Sequence, residues 1–318
     1  MKNQNYELLI LFIILFIILF IILLYYINKK YCKKKLHFTN NENKKIAFLF
    51  LIYNNINQEE LWYNYLKNVD KNKYNIYIHY KEDNKDTKLK YFEQYKLTNC
   101  IPTKWGDKSL VFAQNILLKE ALKDENNSHF IFLSNSCIPL KSFDYIYNNL
   151  DPNFSYFNIM KFNNNIIDSR LNKKYLSISK YVKKASQWCI LNRKIANILI
   201  QDEYKYIYWF RFVPDEHCYI SYIFYLNLEN ELKIKNYDNT PENATTFVLW
   251  SNDKYKYSNI SFFSYILNFF RVSFNSHPIT YSNILDEELT YLVKNAKCFF
   301  GRKFDECINL DNILNLIT

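Results

Sequence analysis

The run Lys45-Ile-Ala-Phe-Leu-Phe-Leu-Ile-Tyr53 is apolar throughout its middle and has the length of one strand. A strand with one wet face alternates apolar and polar residues. A strand without alternation is covered on both faces, as in the parallel sheets of α/β proteins. Parallel neighbours also need a crossover long enough for a helix. The chain supplies one at once: Gln58 to Asn68 places Leu61, Trp62, Tyr65 and Leu66 at helical spacing, and Tyr74-Asn-Ile-Tyr-Ile-His-Tyr80 is a second strand. This order predicts a Rossmann-type α/β domain whose ligand lies beyond the C-terminal ends of its strands.

The same reading extends along the chain. After a charged loop from Lys81 to Lys90, Gly106-Asp-Lys-Ser109 opens a helix with Leu110, Ala113, Leu117, Leu118 and Ala121 on its buried face. Asp107 or Ser109 is its expected cap. His129 to Leu133 is a strand closed by the turn Ser134-Asn-Ser-Cys137; Ser142 to Leu150 is a helix and Tyr156 to Met160 a strand. Ile167 to Lys184 is polar and turn-like and reads as a mobile loop, with Lys173, Lys174, Lys180, Lys183 and Lys184 on a solvated face. Ala185 to Asn192 recovers strand character, and Arg193 to Gln201 is helical. Lys233 to Tyr257 mixes short strands and loops, Ile284 to Val293 is a helix, and Ala296 to Phe300 is a strand with Gly301-Arg-Lys-Phe304 at its C-terminal edge. No internal repeat interrupts residues 45–318, which read as one domain.

Residues 1–7 form a short tail. From Leu8 to Ile27 every residue is apolar or aromatic, and these 20 residues match a helix spanning a hydrocarbon core of roughly 30 Å. The run is longer than a signal-peptide core and lacks a small-residue cleavage site. It therefore reads as a single membrane anchor in the lipid bilayer, with residues 28–44 as a basic tether. Seven lysines against one glutamate between Lys29 and Lys45 hold +6 of the net charge of +10. The remaining +4 is spread over the rest of the chain, too dilute for a nucleic-acid footprint, so no nucleic acid is expected as a partner. The lysine cluster behind the anchor favours a cytosolic domain by the positive-inside rule. Seven cysteines are widely spaced without a CxxC pair, which argues against a zinc site and leaves disulfide pairing open.

The stretch from Trp209 to Ile223 holds the strongest candidate chemistry. Arg211 and Pro214 lead into Asp215-Glu216-His217, followed by Ile220, Ile223 and Phe224 at helical spacing. Proline and acidic residues are favoured at a helix start, so the plain reading is a cap. The alternative is a carboxylate presented for proton transfer at the mouth of a helix.

Seven stretches, in order, decide between these readings: Lys45-Ile-Ala-Phe-Leu-Phe-Leu, Trp105-Gly-Asp-Lys-Ser109, Phe132-Leu-Ser-Asn-Ser-Cys-Ile-Pro-Leu140, Ser186-Gln-Trp188, Val213-Pro-Asp-Glu-His217, His277-Pro278 and Cys298-Phe-Phe-Gly-Arg-Lys-Phe304. Together they resemble the core-2/I-branching beta-1,6-N-acetylglucosaminyltransferase family (glycosyltransferase family 14), in particular its plant-type branch. The resemblance spans Lys45 to Asp305. It implies a GT-A-like fold, a UDP-sugar donor, a glycan or glycoprotein acceptor, inversion at the anomeric carbon, and no metal or other cofactor. It makes Glu216 the general base and Lys303, helped by Arg302, the group that stabilises the departing diphosphate. Trp105, Gly106 and Ser109 fall in a donor-side motif. Asp215 and His217, with Gln187 and Trp188, become candidates for orienting the base or meeting the acceptor. Family members of this kind are type II Golgi or ER proteins with a lumenal domain, against the lysine cluster.

Two motifs differ from the family pattern. His277-Pro-Ile-Thr280 stands where animal members carry an arginine, and His79-Tyr-Lys-Glu-Asp83 where the family reads His-Val-Asp-x-Lys. A hexosyltransferase of the acetylglucosaminyltransferase type is implied, with xylose, glucuronic acid and glucose also open as donor sugars. The turn Ser134-Asn-Ser-Cys137 has no carboxylate where a metal-dependent transferase carries Asp-x-Asp. Both glycines of the chain, Gly106 and Gly301, lie inside the motifs, where a turn or close approach would require them. His79, His129 and His277 lack ligand spacing. Trp105 and Trp188 read as packing residues that could also stack on a sugar or base. Sequons occur at Asn126, Asn153, Asn243 and Asn259. Two classes of function follow: an active membrane-anchored transferase, or a silent relative serving as a tethered carbohydrate-binding or scaffold protein.

Overall fold

Ten strands organise the part of the chain that the computed structural model describes: residues 44–81, 88–160, 169–236, 245–249, 278–284, 286–310 and 312–317, with 16, 19 and 20. They are β1 (Lys45–Leu51), β2 (Tyr74–His79), β3 (Asn127–Ser134), β4 (Ile138–Pro139), β5 (Ser155–Met160), β6 (Lys184–Ala185), β7 (Ile190–Asn192), β8 (Leu232–Asn236), β9 (Thr246–Val248) and β10 (Phe300–Arg302). The chain divides into two units, Met1–Glu42 and Asn43–Thr318. The expected anchor at 8–27 lies outside the described residues except for Phe16, Leu19 and Phe20, which are helical and exposed. Among the described residues no helix is long and apolar enough to cross a membrane.

The fold is mixed α/β, with a parallel-rich central sheet in the order β2-β1-β3-β7-β5-β6 and β8 paired to β5. β1 runs parallel to both β2 and β3, and β5 parallel to β8; β7 is antiparallel to β3 and β5. β1, β3 and β5 therefore end on the same side of the sheet. The continuous apolar run at β1 does what its pattern requires. Ile46, Phe48 and Phe50 enter one core layer, and Ala47, Leu49 and Leu51 the opposite one. Helix α1 (Glu59–Leu66) covers the first layer through Leu61, Trp62, Tyr65 and Leu66, the four residues its spacing indicated. Helix α2 (Ser109–Ala121) covers the second layer. Burying a large apolar side chain of this kind stabilises by about 1.5–3 kcal/mol.

Helix α3 (Phe143–Asn149) is capped by Ser142, whose hydroxyl accepts from Tyr145 N, and α4 (Arg193–Gln201) by Asn192, which accepts from Ile195 N at 2.9 Å. At α2, Asp107 accepts from Ser109 N at 2.8 Å, while Ser109 Oγ accepts from Lys104 N at 3.0 Å, so each expected cap residue takes part in the turn. Helix α5 (Cys218–Tyr225) follows the Pro-Asp-Glu segment and packs into the second layer. A second, three-stranded sheet has the order β4-β10-β9.

The fold corrects several expectations. The segment from Ile167 to Lys184 is no loose loop where it is described, from residue 169 on. Leu171 bridges Phe210, Arg211 N donates to Arg170 O at 2.9 Å, and Lys173–Tyr181 forms a 3₁₀ helix with Ile178 buried. Arg170 and Lys184 line the cleft, while Lys173, Lys174 and Lys180 are exposed, as expected of a solvated face. The strand expected over Ala185 to Asn192 is split into β6 and β7 by a turn in which Ser186 Oγ accepts from Trp188 N. Helix α6 runs over Asp286–Asn295, two residues later than expected. β10 likewise starts at Phe300 rather than Ala296, because its ladder is set by pairing with β4 and β9. Cys137, Cys189 and Cys218, left open for disulfides, are buried free thiols.

Candidate active site

A cleft of about 740 Å³ opens at the C-terminal ends of β1, β3 and β5. Leu51 ends β1 and Tyr53 follows it, Ser134 and Asn135 close β3, and Met160 ends β5. Arg302 and Lys303 enter from the small sheet, and Asp215 and Glu216 from the turn before α5. Open α/β sheets place ligands at this end of their strands.

The turn carrying Glu216 is tightly determined. Val213 adopts the left-handed conformation (φ 48°, ψ 49°), costly for a β-branched residue by about 1–3 kcal/mol. Its N–H donates to Gly106 O at 2.9 Å, which ties this loop to the one before α2. Gly106 itself has φ +71°, and a Cβ there would meet Phe212 Cε2 at 3.1 Å. Pro214 then opens a single 3₁₀ turn in which Glu216 N donates to Val213 O and His217 N to Pro214 O. The glycine therefore serves the position of Glu216 from more than a hundred residues away.

Glu216 Oε2 receives two cations: Arg170 Nη1 at 3.1 Å and Lys184 Nζ at 3.3 Å, all three side chains about four-fifths enclosed. Lys184 was expected on a solvated face; pairing with Met160 at the cleft end of β5 turns it inward instead. The neighbouring Asp215 has a different environment. It is buried, its Oδ1 has no hydrogen-bond partner, and burial, reinforced by the charge of Glu216, pushes its carboxyl up to about 7. That is not the geometry of a cap.

Arg302 stacks its guanidinium 4.7 Å from the centroid of the Trp188 ring, and its buried Nε has no partner. Burial holds both Arg302 and Lys303 below their ordinary pKa values, and for Lys303 the adjacent Arg302 charge adds to it. Two neighbouring desolvated cations, one with an unspent donor, form a site that a polyanion would relieve. Gly301 allows the approach: a Cβ there would meet Phe304 Cε2 at 3.1 Å and Leu140 Cδ1 at 3.2 Å. Phe304 N donates to Ser136 O, which fixes the segment against the turn after β3.

The structure thus brings Glu216, Asp215, Lys303, Arg302, Gln187, Trp188 and Trp105 into one cleft. Trp105 is 71% exposed and meets Phe212 edge-on at 5.7 Å, whereas Trp188 is buried. Gly106, Ser109 and His217 do not line the cleft and act on its walls through hydrogen bonds. His277 lies outside the described residues; His79 is buried, with Nε2 accepting from Ile101 N at 3.0 Å. Among the described residues, the one cluster with metal-ligand geometry is Asp305, Glu306 and Cys307, and it is not part of the cleft lining. Sequence reasoning missed Arg170 altogether. The signal available was scarcity: the chain holds five arginines against 36 lysines, and Arg170 and Arg302 both line the cleft.

A profile of the core-2/I-branching enzyme family matches residues 46–272. Among curated proteins, Glycosyltransferase BC10 of Oryza sativa subsp. japonica is 27% identical over 175 residues, which cover 51% of this chain and 41% of that protein. The alignment thus takes in less than half of the relative's length. The profile's span contains the turn that carries Glu216 and the strand ends that face it, and Arg302 and Lys303 follow beyond it. This chain belongs to the core-2/I-branching enzyme family of glycosyltransferases.

Proposed function

We propose that the protein is an inverting, metal-independent glycosyltransferase that moves a sugar, GlcNAc first among the candidates, from a UDP-sugar to a hydroxyl of a glycan or glycoprotein. The observation that carries this reading is the meeting, in one cleft, of a carboxylate gripped by two cations and a separate, desolvated Arg302–Lys303 pair. Glu216 takes the proton of the acceptor hydroxyl as its oxygen attacks the anomeric carbon. The bond from that carbon to the diphosphate breaks, and its electron pair leaves on UDP. Lys303 and Arg302 meet the charge that develops there, the work a divalent cation does in metal-dependent transferases. The carboxylate-free turn at Ser134–Cys137 is consistent with that division of labour.

Release of UDP from a panel of UDP-sugars, with a mucin-type glycoprotein as acceptor and EDTA in excess, tests the proposal and ranks the donors. Turnover that persists in EDTA is expected; complete loss restored by Mn²⁺ would overturn the metal-independent mechanism. Absence of turnover with every donor would favour the silent-relative reading. We place the domain in the Golgi or ER lumen behind an anchor at residues 8–27. Asn126 and Asn153 are exposed, so a lumenal domain should show an endoglycosidase-sensitive mass shift that a cytosolic one would lack.

A further inference from the structure

We propose that His217 is a positioning residue: its neutral imidazole holds Arg170 in the orientation from which the guanidinium grips Glu216. The inference rests on the reading of Glu216 as the base.

The His217 ring is buried and stacked on Phe210, with centroids 4.9 Å apart and planes 22° from parallel. Nδ1 lies 2.7 Å from the carbonyl oxygen of Lys183. A carbonyl only accepts, so Nδ1 carries the proton and donates. Nε2 of the neutral ring is then an acceptor, and it lies 2.9 Å from Nη1 of Arg170, which only donates. The two contacts fix one tautomer and exclude the imidazolium, which would set donor against donor. Burial, together with the charges of Arg170 and Lys184, favours the same neutral form.

The nitrogen of Arg170 that donates to His217 is the one 3.1 Å from Glu216 Oε2. Arg170 is thus pinned at both ends. Its carbonyl accepts from Arg211 N at 2.9 Å, and its guanidinium is set by His217. The other end of the imidazole reaches the residue beside Lys184, the second cation on Glu216. Ser221, one turn along α5 with its N–H on His217 O, clamps Lys183 as well, accepting from its N–H at 3.0 Å. One buried ring therefore sets the register of both cations. Satisfying a buried histidine would need neither the sharing of Nη1 with the carboxylate nor the contact with the residue beside the second cation.

Two near-isosteric variants separate the halves of this contact. His217→Gln places an amide near Nε2 and keeps an acceptor for Arg170; His217→Asn places it near Nδ1 and keeps only the link to Lys183 O. In the full-length protein, with UDP-GlcNAc as donor, His217→Gln should lose about threefold in kcat, and His217→Asn about 10- to 100-fold, with KM for the donor unchanged. His217→Asn should cause no further loss in an Arg170→Lys background. Equal kcat for the two single variants, losses that track their melting temperatures, or losses that multiply with Arg170→Lys would each overturn the proposal. Should His217→Asn fail to fold, Arg170→Gln replaces it: a loss about 10-fold or greater beside a largely active His217→Gln is required, and equal activities refute it. Glu216→Gln is assayed in parallel. Wild-type turnover in that variant would remove Glu216 as the base; an inactive Glu216→Gln with matched His217 variants would remove only the positioning role.

Discussion

In the half of the sheet formed by β2, β1 and β3, six consecutive residues of β1 pair in continuous parallel register on each side, and the side chains of β1 and β3 are almost wholly enclosed. In the other half, β8 meets β5 through five residue pairs, but β7 meets β3 through three, β5 meets β7 through one, and β6 meets β5 through two. Side-chain hydrogen bonds tie β5 to its surroundings there: Asn192 N donates to Ser155 Oγ at 2.9 Å, and Asn158 Oδ1 accepts from Thr245 N at 2.8 Å. The first half is held by apolar area and presents strand ends. The second adds specific polar contacts to buried apolar residues such as Phe157, Ile190 and Leu191, and delivers Arg170, Lys184, Gln187 and Trp188 to the cleft. Both halves supply core, but the side chains that meet Glu216 come from beside the second, and perturbations should separate the two.

The largest separation should come from acid. His79 and His129, in the first half, each have a folded pKa lowered to about 4, chiefly by burial. Between pH 6.5 and 4 the unfolded chain binds a proton at each that the folded chain does not, so stability is full above pH 6.5 and falls as pH falls. In the site, His217, also lowered to about 4, acts in the same direction, but Asp215, raised to about 7, binds its proton in the folded state first and offsets it. The net slope should approach two protons, at most about 2.7 kcal/mol per pH unit, read from urea unfolding across that window. A slope near zero would break the assignment of acid lability to the first half.

Next in size is Phe48→Ala. Phe48 is fully buried and packs edge-on against Trp62 at 5.8 Å. The change should cost about 3–5 kcal/mol in urea unfolding, yet leave the donor KM of the folded fraction unchanged. A changed KM would mean that the halves are coupled. Smaller again is Lys303→Ala, which should weaken UDP-sugar binding about 10- to 100-fold by titration calorimetry, with a melting temperature close to wild type. Unchanged affinity would move the diphosphate away from Lys303.

The same contrast explains what could be read from the chain. β1 follows from an unbroken apolar run, which burial on both faces imposes, and α1 from the helical spacing of its one buried face. Gly106 and Gly301 stood out because the chain has no other glycine, and at each an added Cβ would meet an aromatic ring at 3.1 Å. Arg170 and Lys184 carried no such mark. Their partner is Glu216, 46 residues from Arg170, and the bridge between Leu171 and Phe210 that brings the segments together is a tertiary pairing without a period of its own. The start of β10 escaped for the same reason, being set by β4 and β9 rather than by its own apolar residues.

The central claim is that Glu216 performs proton transfer while a separate cation pair holds the donor. Donor binding and turnover measured on one preparation of Glu216→Gln test it most directly. UDP-sugar affinity should match wild type while kcat falls about 100- to 10,000-fold. Turnover at the wild-type rate, or a loss explained entirely by weaker donor binding, would contradict it.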